Sequence, residues 1–389
     1  MKEGLLQQRL RRIRQSGTEE GRFSSPASRS VKPQSGVSAE FGPEWREADF
    51  QTLKRSVTVD IAETLPEVFP SALPILIPDL FRHQRLTGRL PASDEFCFFD
   101  LETTGLSGGA GTVAFLAAAG RFTSSLQLQA DQFLLLDYPG EAAFLERVLE
   151  RLVPEASSLT IVTYNGKVFD VPLLRTRCLM NGIRPPEIFQ ADLLHPARGL
   201  WKNILPGCSQ AVIETEILGL DRSGDINGAE APGIWFDFLK TGKTQALMGI
   251  CDHNIKDIAG LARLFAALAD IAADPLSGME RYRFDPEGLA LRWRKFLRVH
   301  RPFVCRESGF HKELHETAEK LLYAAGSRGS GKALLYLAMD AEWKNRDYVK
   351  ALEYTETLLA MTEGAEDPLP GLERRRERLL GKLKAEQLF

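Results

Sequence analysis

The stretch Phe98-Phe99-Asp100-Leu101-Glu102-Thr103-Thr104-Gly105-Leu106 decides how this chain reads. It closes an apolar run over residues 96–101, which predicts a buried strand whose far end carries acids. Strand alternation puts Asp100 and Glu102 on one face, two residues' rise apart. Carboxylates that close repel one another, and a bound divalent cation is the usual reason to tolerate them. Hard cations such as magnesium or manganese take carboxylate oxygens. The plainer alternative is a pair of acids that merely flanks a turn.

Outward from this strand, the pattern alternates. Residues 112–122 and 126–136 read as two more strands, 141–152 as a helix, 159–164 as a buried strand, 171–180 as a helix and 188–194 as a strand. Helices dominate from there to residue 273. Three strands followed by alternating helix and strand predict an α/β domain, a mixed sheet flanked by helices. After Pro275 the strand signals stop, and residues 289–299, 312–325, 332–344 and 348–361 read as helices, an all-α C-terminal domain. The small residues in Leu334-x-x-Leu337-Ala338 and in Tyr348-x-x-Ala351-Leu352 suit a tetratricopeptide-type hairpin, with a generic helical bundle as the alternative.

Two further elements carry chemistry. Tyr164-Asn165-Gly166-Lys167-Val168-Phe169-Asp170 follows a buried strand, and Asn165-Gly166 marks a turn. Asp170 then opens a helix, where an acid also serves as a cap. His253-Asn254-Ile255-Lys256-Asp257 reads as a helix start. His253 and Asp257 are four apart and share a face, which also fits a solvated pair.

In this order the three elements resemble the motifs of the DEDD 3′–5′ exonuclease superfamily. The closer resemblance is to the YprB-type ribonuclease H-like domain family. It rests on Phe99-Asp100-Leu101-Glu102-Thr103-Thr104-Gly105-Leu106, Ala191-Asp192-Leu193-Leu194-His195-Pro196-Ala197-Arg198 and His253-Asn254-x-x-Asp257, and it covers roughly residues 94–273. The resemblance implies a ribonuclease H-like fold and a metal-dependent 3′–5′ exonuclease acting on single-stranded DNA or RNA. Asp100, Glu102, Asp170 and Asp257 would be catalytic and hold two divalent cations, Mg2+ or Mn2+, about 3.5–4 Å apart. His253 would orient or deprotonate the attacking water. It stands four residues before Asp257, where one subclass has Tyr; the histidine subclass has its His five before, and one residue turns a helical side chain by about 100°. Thr103, Thr104, Leu106 and Asn165 would be substrate-binding, the first three against the terminal nucleotide, and Asn165 would also tie its turn through its side chain. Asp192 reads as a helix cap or loop brace rather than a fifth ligand. His195 and Arg198 read equally as phosphate contacts or packing residues. The competing functions are a non-catalytic nucleic-acid-binding module and a protein-binding scaffold that uses the helical C-terminal domain.

Composition bounds the rest. The 389 residues carry 49 Lys and Arg against 52 Asp and Glu, a net charge of −3, which excludes a polycation that coats nucleic acid or membrane. The charge is unevenly placed. Residues 94–273 hold 14 basic and 22 acidic residues, and the positive surplus lies in the flanks. Five scattered cysteines without a C-x-x-C pair argue against a disulfide framework or a cysteine zinc site. No secretory signal or apolar run of about 18 residues is expected, so the reading is a cytoplasmic protein with no membrane partner. Residues 1–56 read as a disordered basic arm, with Leu5, Leu6, Leu10 and Ile13 at helical spacing beside arginines. Residues 57–93 read as a proline-rich extended segment, 94–273 as the nuclease domain and 280–389 as the helical domain. Gly326-Ser327-Arg328-Gly329-Ser330-Gly331-Lys332-Ala333 imitates a phosphate-binding loop, but Ala333 stands where a Ser or Thr is needed. Arg374-Arg375-Arg376-Glu377-Arg378 reads as the solvated face of a terminal helix.

Overall fold

The acid-tipped strand forms as expected, over Phe96–Thr103, and it lies inside a seven-stranded mixed sheet. The computed structural model describes residues 40–61, 69–105, 111–123, 127–154, 159–299, 308–362 and 371–386. Leu106 and the basic arm through residue 39 lie outside the described residues. In chain order the strands are β1 (Arg46–Asp49), β2 (Thr52–Asp60), β3 (Phe96–Thr103), β4 (Ala114–Phe122), β5 (Gln127–Leu135), β6 (Thr160–Thr163) and β7 (Phe189–Asp192). Their order across the sheet is β1-β2-β5-β4-β3-β6-β7. The five strands β1 to β5 pair antiparallel, while β3–β6 and β6–β7 are parallel. This is a ribonuclease H-like fold with a helical C-terminal part.

The sheet is longer than the sequence suggested. Residues 46–56 were expected in a disordered arm, yet they form β1 and much of β2, which pairs with β5 along its whole length. The segment 57–93 was expected to be extended; its residues to Asp60 do lie in β2, but within the described residues 69–93 it carries two helices, α1 (Leu73–Leu76) and α2 (Pro78–Thr87). Pro74 and Pro78, two of the prolines that argued against helix, stand at the first turns of these helices, where no backbone N–H is required. The short outer strand β1 is almost wholly charged, which blunts an exposed sheet edge.

The helices follow as α3 (Glu141–Leu152), α4 (Asp170–Met180), α5 (Leu194–Trp201), α6 (Gln210–Glu216), α7 (Ala231–Thr241) and the 29-residue α8 (Gln245–Ala273). Register places Asp100, Ala118, Gln132 and Arg55 in one row across β3, β4, β5 and β2. Helix α8 lies on that face. Phe265 packs its ring against Phe96 and Phe98. Gly120 leaves room for Ile258, whose Cγ2 would stand 2.6 Å from an added Cβ. The opposite face is covered by α3, whose Arg151 reaches Asp131 of β5 at 2.7 Å. Glu141 and Arg177 join α3 to α4 by a buried bidentate pair.

The C-terminal helices are α9 (Pro275–Tyr282), α10 (Pro286–Val299), α11 (Ser308–Ser327), α12 (Gly331–Asp340), α13 (Tyr348–Thr362) and α14 (Leu372–Glu386). From α10 onward each packs chiefly on its chain neighbours. One apolar cluster runs from Phe96 of β3 through Phe265 to Leu358 and Leu372, so it continues across the expected boundary at 273–280. Arg292 of α10 donates to the carbonyls of Leu76 and His195. The phosphate-loop lookalike is a turn between α11 and α12, where Ser330 caps α12 by accepting from the N–H of Ala333. The arginine run is largely a solvated face, with Arg374, Arg376, Glu377 and Arg378 exposed, but Arg375 is buried, and it converges with Arg378 and Lys382 on the buried Glu342. No described helix is long and apolar enough to cross a membrane.

Two glycines test this packing. Gly120→Ala, forced against Ile258, is expected to lower stability by about 1–3 kcal/mol. Gly381→Ala, in α14 with open space around it, is expected to raise it by roughly 0.5–1 kcal/mol. Urea denaturation of both variants measures the contrast.

Candidate active site

Asp100 and Glu102 leave β3 on the face that α8 covers, and a register shift between Glu102 and Thr103 ends the regular ladder there. Asp170 begins α4, after a turn in which Asn165 adopts a left-handed φ of 66°. His253 and Asp257 lie on α8. They are not at a helix start, as the sequence suggested, because α8 begins at Gln245. Donor atoms of Glu102, His253 and Asp257 lie within 4.8 Å of one another. Asp100 is half-buried and feels the charges of Asp170, Asp257 and Glu102. The structure therefore brings the four predicted acids and His253 into one locus.

Electrostatics make the locus an uncomfortable one. Removal from water is the largest effect on all four acids, and it raises each of them. The Asp100 carboxyl is held well above its usual range, first by burial and then by Asp170, Asp257 and Glu102. Glu102 is pushed to about 8 by burial, Asp257 and Asp170. Asp170 is pushed to about 7 by burial and by Asp192. Asp257 is also raised by burial, against the lowering pull of His253 and Arg222. Glu102 and Asp170 are 9% and 5% exposed, and neither has an ion pair among the described residues. Buried carboxylates without a cation are the donor set that a hard divalent ion fits, so Asp100, Glu102, Asp170 and Asp257 suit such ions, with the His253 imidazole within reach.

Several functional neighbours escaped the sequence reading. Asn254 donates to Asp100 Oδ2 at 2.7 Å. Its Oδ1 accepts from Gln132 at 2.9 Å, and Gln132 in turn accepts from Arg55 at 2.6 Å. A chain of polar groups thus follows the sheet row and fixes the Asp100 carboxylate. The signal was present, since Gln132 interrupts the apolar run after Ala130. Arg222 donates to Asp257 Oδ1 at 2.6 Å and to Asp225 Oδ2 at 2.7 Å, and it also pairs with the fully buried Glu214. Asp225 Oδ2 stands 3.0 Å from His253 Nδ1, and His253 Nε2 stands 3.2 Å from Asp257 Oδ2. Burial would raise Asp225, but Arg222 and His253 hold it at about 2. His253 is thus held between two carboxylates, Asp225 at Nδ1 and Asp257 at Nε2, which fix the orientation of its ring. These residues belong to a loop between Gly219 and Gly228 that showed no periodic pattern.

The remaining candidates are placed as follows. Asp192 braces the Asn165 turn, accepting from the N–H groups of Asn165 and Lys167 at 2.9 and 3.0 Å, and it caps α5 through Leu194. The turn is therefore tied through backbone groups to Asp192, not by the Asn165 side chain. The Thr103 hydroxyl donates to the Gly105 carbonyl, and the Thr104 hydroxyl accepts from the Val113 N–H, so both close the loop after β3. His195 and Arg198 are exposed on α5.

Two measurements check this account. Asn254→Ala and Asp225→Asn remove groups that aim the ligands, and each is expected to weaken Mn2+ binding by about 10–100-fold in calorimetry. The second concerns pH. The folded chain keeps protons on Glu102 and Asp170 that an unfolded chain loses near pH 4. Metal-free protein should therefore lose stability as pH rises from about 4 through 8. Melting in chelator is expected to show this fall, Glu102→Gln to reduce it, and Mn2+ to reverse it.

Comparison with known proteins agrees with this geometry. Residues 97–269 match the family described as RNase H superfamily. A Bacillus subtilis (strain 168) protein named "Uncharacterized protein YprB" is 39% identical over 171 residues, which is 43% of this chain and 40% of that protein. The chain thus aligns with less than half of that relative's length, and the family match covers the segment that carries most of β3, β4 to β7 and the four acids, leaving β1 and β2 outside it. Over that segment the chain is similar to an RNase H-like family, whose fold generally works with divalent metal ions and suggests nuclease-type chemistry on nucleic acid.

Proposed function

We propose that this protein is a metal-dependent 3′–5′ exonuclease that hydrolyses phosphodiester bonds of single-stranded DNA or RNA. The observation that carries the proposal is the convergence of four carboxylates, two of them buried and without an ion pair among the described residues. A retired site would have no reason to keep such a costly cluster, which weighs against a non-catalytic binding module. Bound Mg2+ or Mn2+ would supply charge neutralisation at the scissile phosphate and a more acidic water.

The chain's own groups do the rest. Asp100 and Glu102 present oxygens from a strand that cannot easily shift, and Asp170 and Asp257 present theirs from two helices. Asn254 holds Asp100 at one oxygen and leaves the other open. Arg222 occupies one oxygen of Asp257 in the same way. His253, aimed by Asp225, can accept a proton at Nε2 from an attacking water. We read the helices after α9 as a tetratricopeptide-like array that assists substrate or partner binding.

The test uses purified protein with end-labelled single-stranded DNA and RNA, in Mg2+, Mn2+ or chelator. Stepwise shortening from the 3′ end is expected with metal only. Asp100→Ala is expected to slow it on the order of 10³-fold. Cleavage that persists in chelator, or that survives the substitution unchanged, would refute the assignment.

A further inference from the structure

The helical part carries a second surface whose chemistry is opposite to that of the acid cluster. A groove of about 590 Å³ opens between α10, α11 and α12. Arg294, Lys295, Arg298, His315, Lys332 and Lys344 line it together with Tyr336, and among the described residues no acidic side chain does. Arg294, Lys295 and Arg298 follow Leu291 at helical spacing and form one stripe of α10. The other stripe, Leu289, Ala290, Trp293 and Leu297, is buried in the core. Asp340 holds the Arg294 guanidinium in a fork, and the same group lies 4.9 Å over the Tyr336 ring. Lys332 meets Glu287 at 3.2 Å and Lys344 meets Asp340 only at 3.8 Å. Lys295 and Arg298 are exposed and have no ion pair among the described residues.

We propose that this groove carries the phosphate backbone of the single-stranded nucleic acid upstream of the scissile end. The inference rests on the nuclease reading for its substrate class. The electrostatic argument runs through the uneven charge of the chain. Residues 94–273 have eight more acids than bases, so their surface repels a polyanion away from bound metal. Affinity for a long strand has to come from a cationic track elsewhere. The groove supplies one. Lys295 and Arg298 are exposed cations, and Arg294 is a planar donor fixed beside an aromatic ring, the combination that single strands use without sequence preference. Helix α10 also binds the sheet domain directly, through Arg292 to the carbonyls of Leu76 and His195, so the track is fixed to the domain that holds the acids. An acidic peptide is the competing occupant. It would satisfy the charges but would have no use for an open aromatic-flanked channel.

The experiment uses full-length protein carrying Asp100→Ala, which prevents cleavage, with and without Lys295→Glu plus Arg298→Glu. Binding of a labelled single-stranded oligonucleotide is titrated over a range of salt. The double charge reversal is expected to weaken binding at least tenfold and to flatten the log–log salt slope by about 1.4, from roughly 0.7 for each lost phosphate contact. In the otherwise native chain, the same reversal should leave hydrolysis of a dinucleotide unchanged while it slows hydrolysis of the long strand. The milder Lys295→Gln plus Arg298→Gln, with an unaltered melting temperature, guards against misfolding and should give the same flattening. An unchanged slope and affinity would overturn the proposal, as would displacement of the oligonucleotide by polyglutamate at equal charge. Failure of the nuclease reading would show differently, as a dinucleotide that no version of the protein cleaves while the salt slope still responds to the groove.

Discussion

Everything in this site depends on one contact, the pressing of α8 onto the sheet row that contains Asp100. Four carboxylates from β3, α4 and α8 have to be held together against their mutual repulsion. The force that does so is apolar. Phe96, Phe98 and Phe265 lock the far end of the helix, and the absence of side chains at Gly120 and of bulk at Ala118 lets the near end sink. Burial of that interface offsets the electrostatic cost of the acids. The same descent brings Asn254 down to Asp100 and Gln132, so packing and polar organisation follow from a single approach of helix to sheet.

The neighbours of the acids divide the work. On one side, Asn254, Gln132 and Arg55 use neutral and cationic donors to orient Asp100. On the other, Arg222, Asp225 and Glu214 clamp Asp257 and His253. Neither network reaches Glu102 or Asp170 among the described residues. The uncompensated charge is thus concentrated on two carboxylates, and a cation would meet its strongest attraction there.

The strands β3 to β7 and the helices of the C-terminal part were legible because each has a clear period and a long enough run. Asp100, Glu102, Asp170, Asp257 and His253 were singled out because their three motifs, in chain order, resemble those of a known family; each motif read alone also fitted a turn, a cap or a solvated pair. The strand β2 was not, because its inward positions include Arg55, which breaks the apolar alternation that announces a strand. The prolines after it pointed to extended chain, since Pro at a helix's first turn looks the same in sequence as Pro that forbids one. Arg222 and Asp225 sit in an aperiodic loop, and their roles arise only when the fold carries that loop onto α8. In the arginine run of α14 only Arg375 departs from the solvated face, because its partner Glu342 lies in the turn after α12.

The polar row that crosses β3, β4, β5 and β2 has a consequence for how this chain can change over time. Arg55 faces α8 only because β2 is in its present register against β5. Insertion or loss of one residue in β2 would turn Arg55 outward and put Lys54 or Ser56 in its place. The register of β2 is therefore constrained by the same polar row that orients Asp100, although β1 and β2 contribute no atom to the acid cluster.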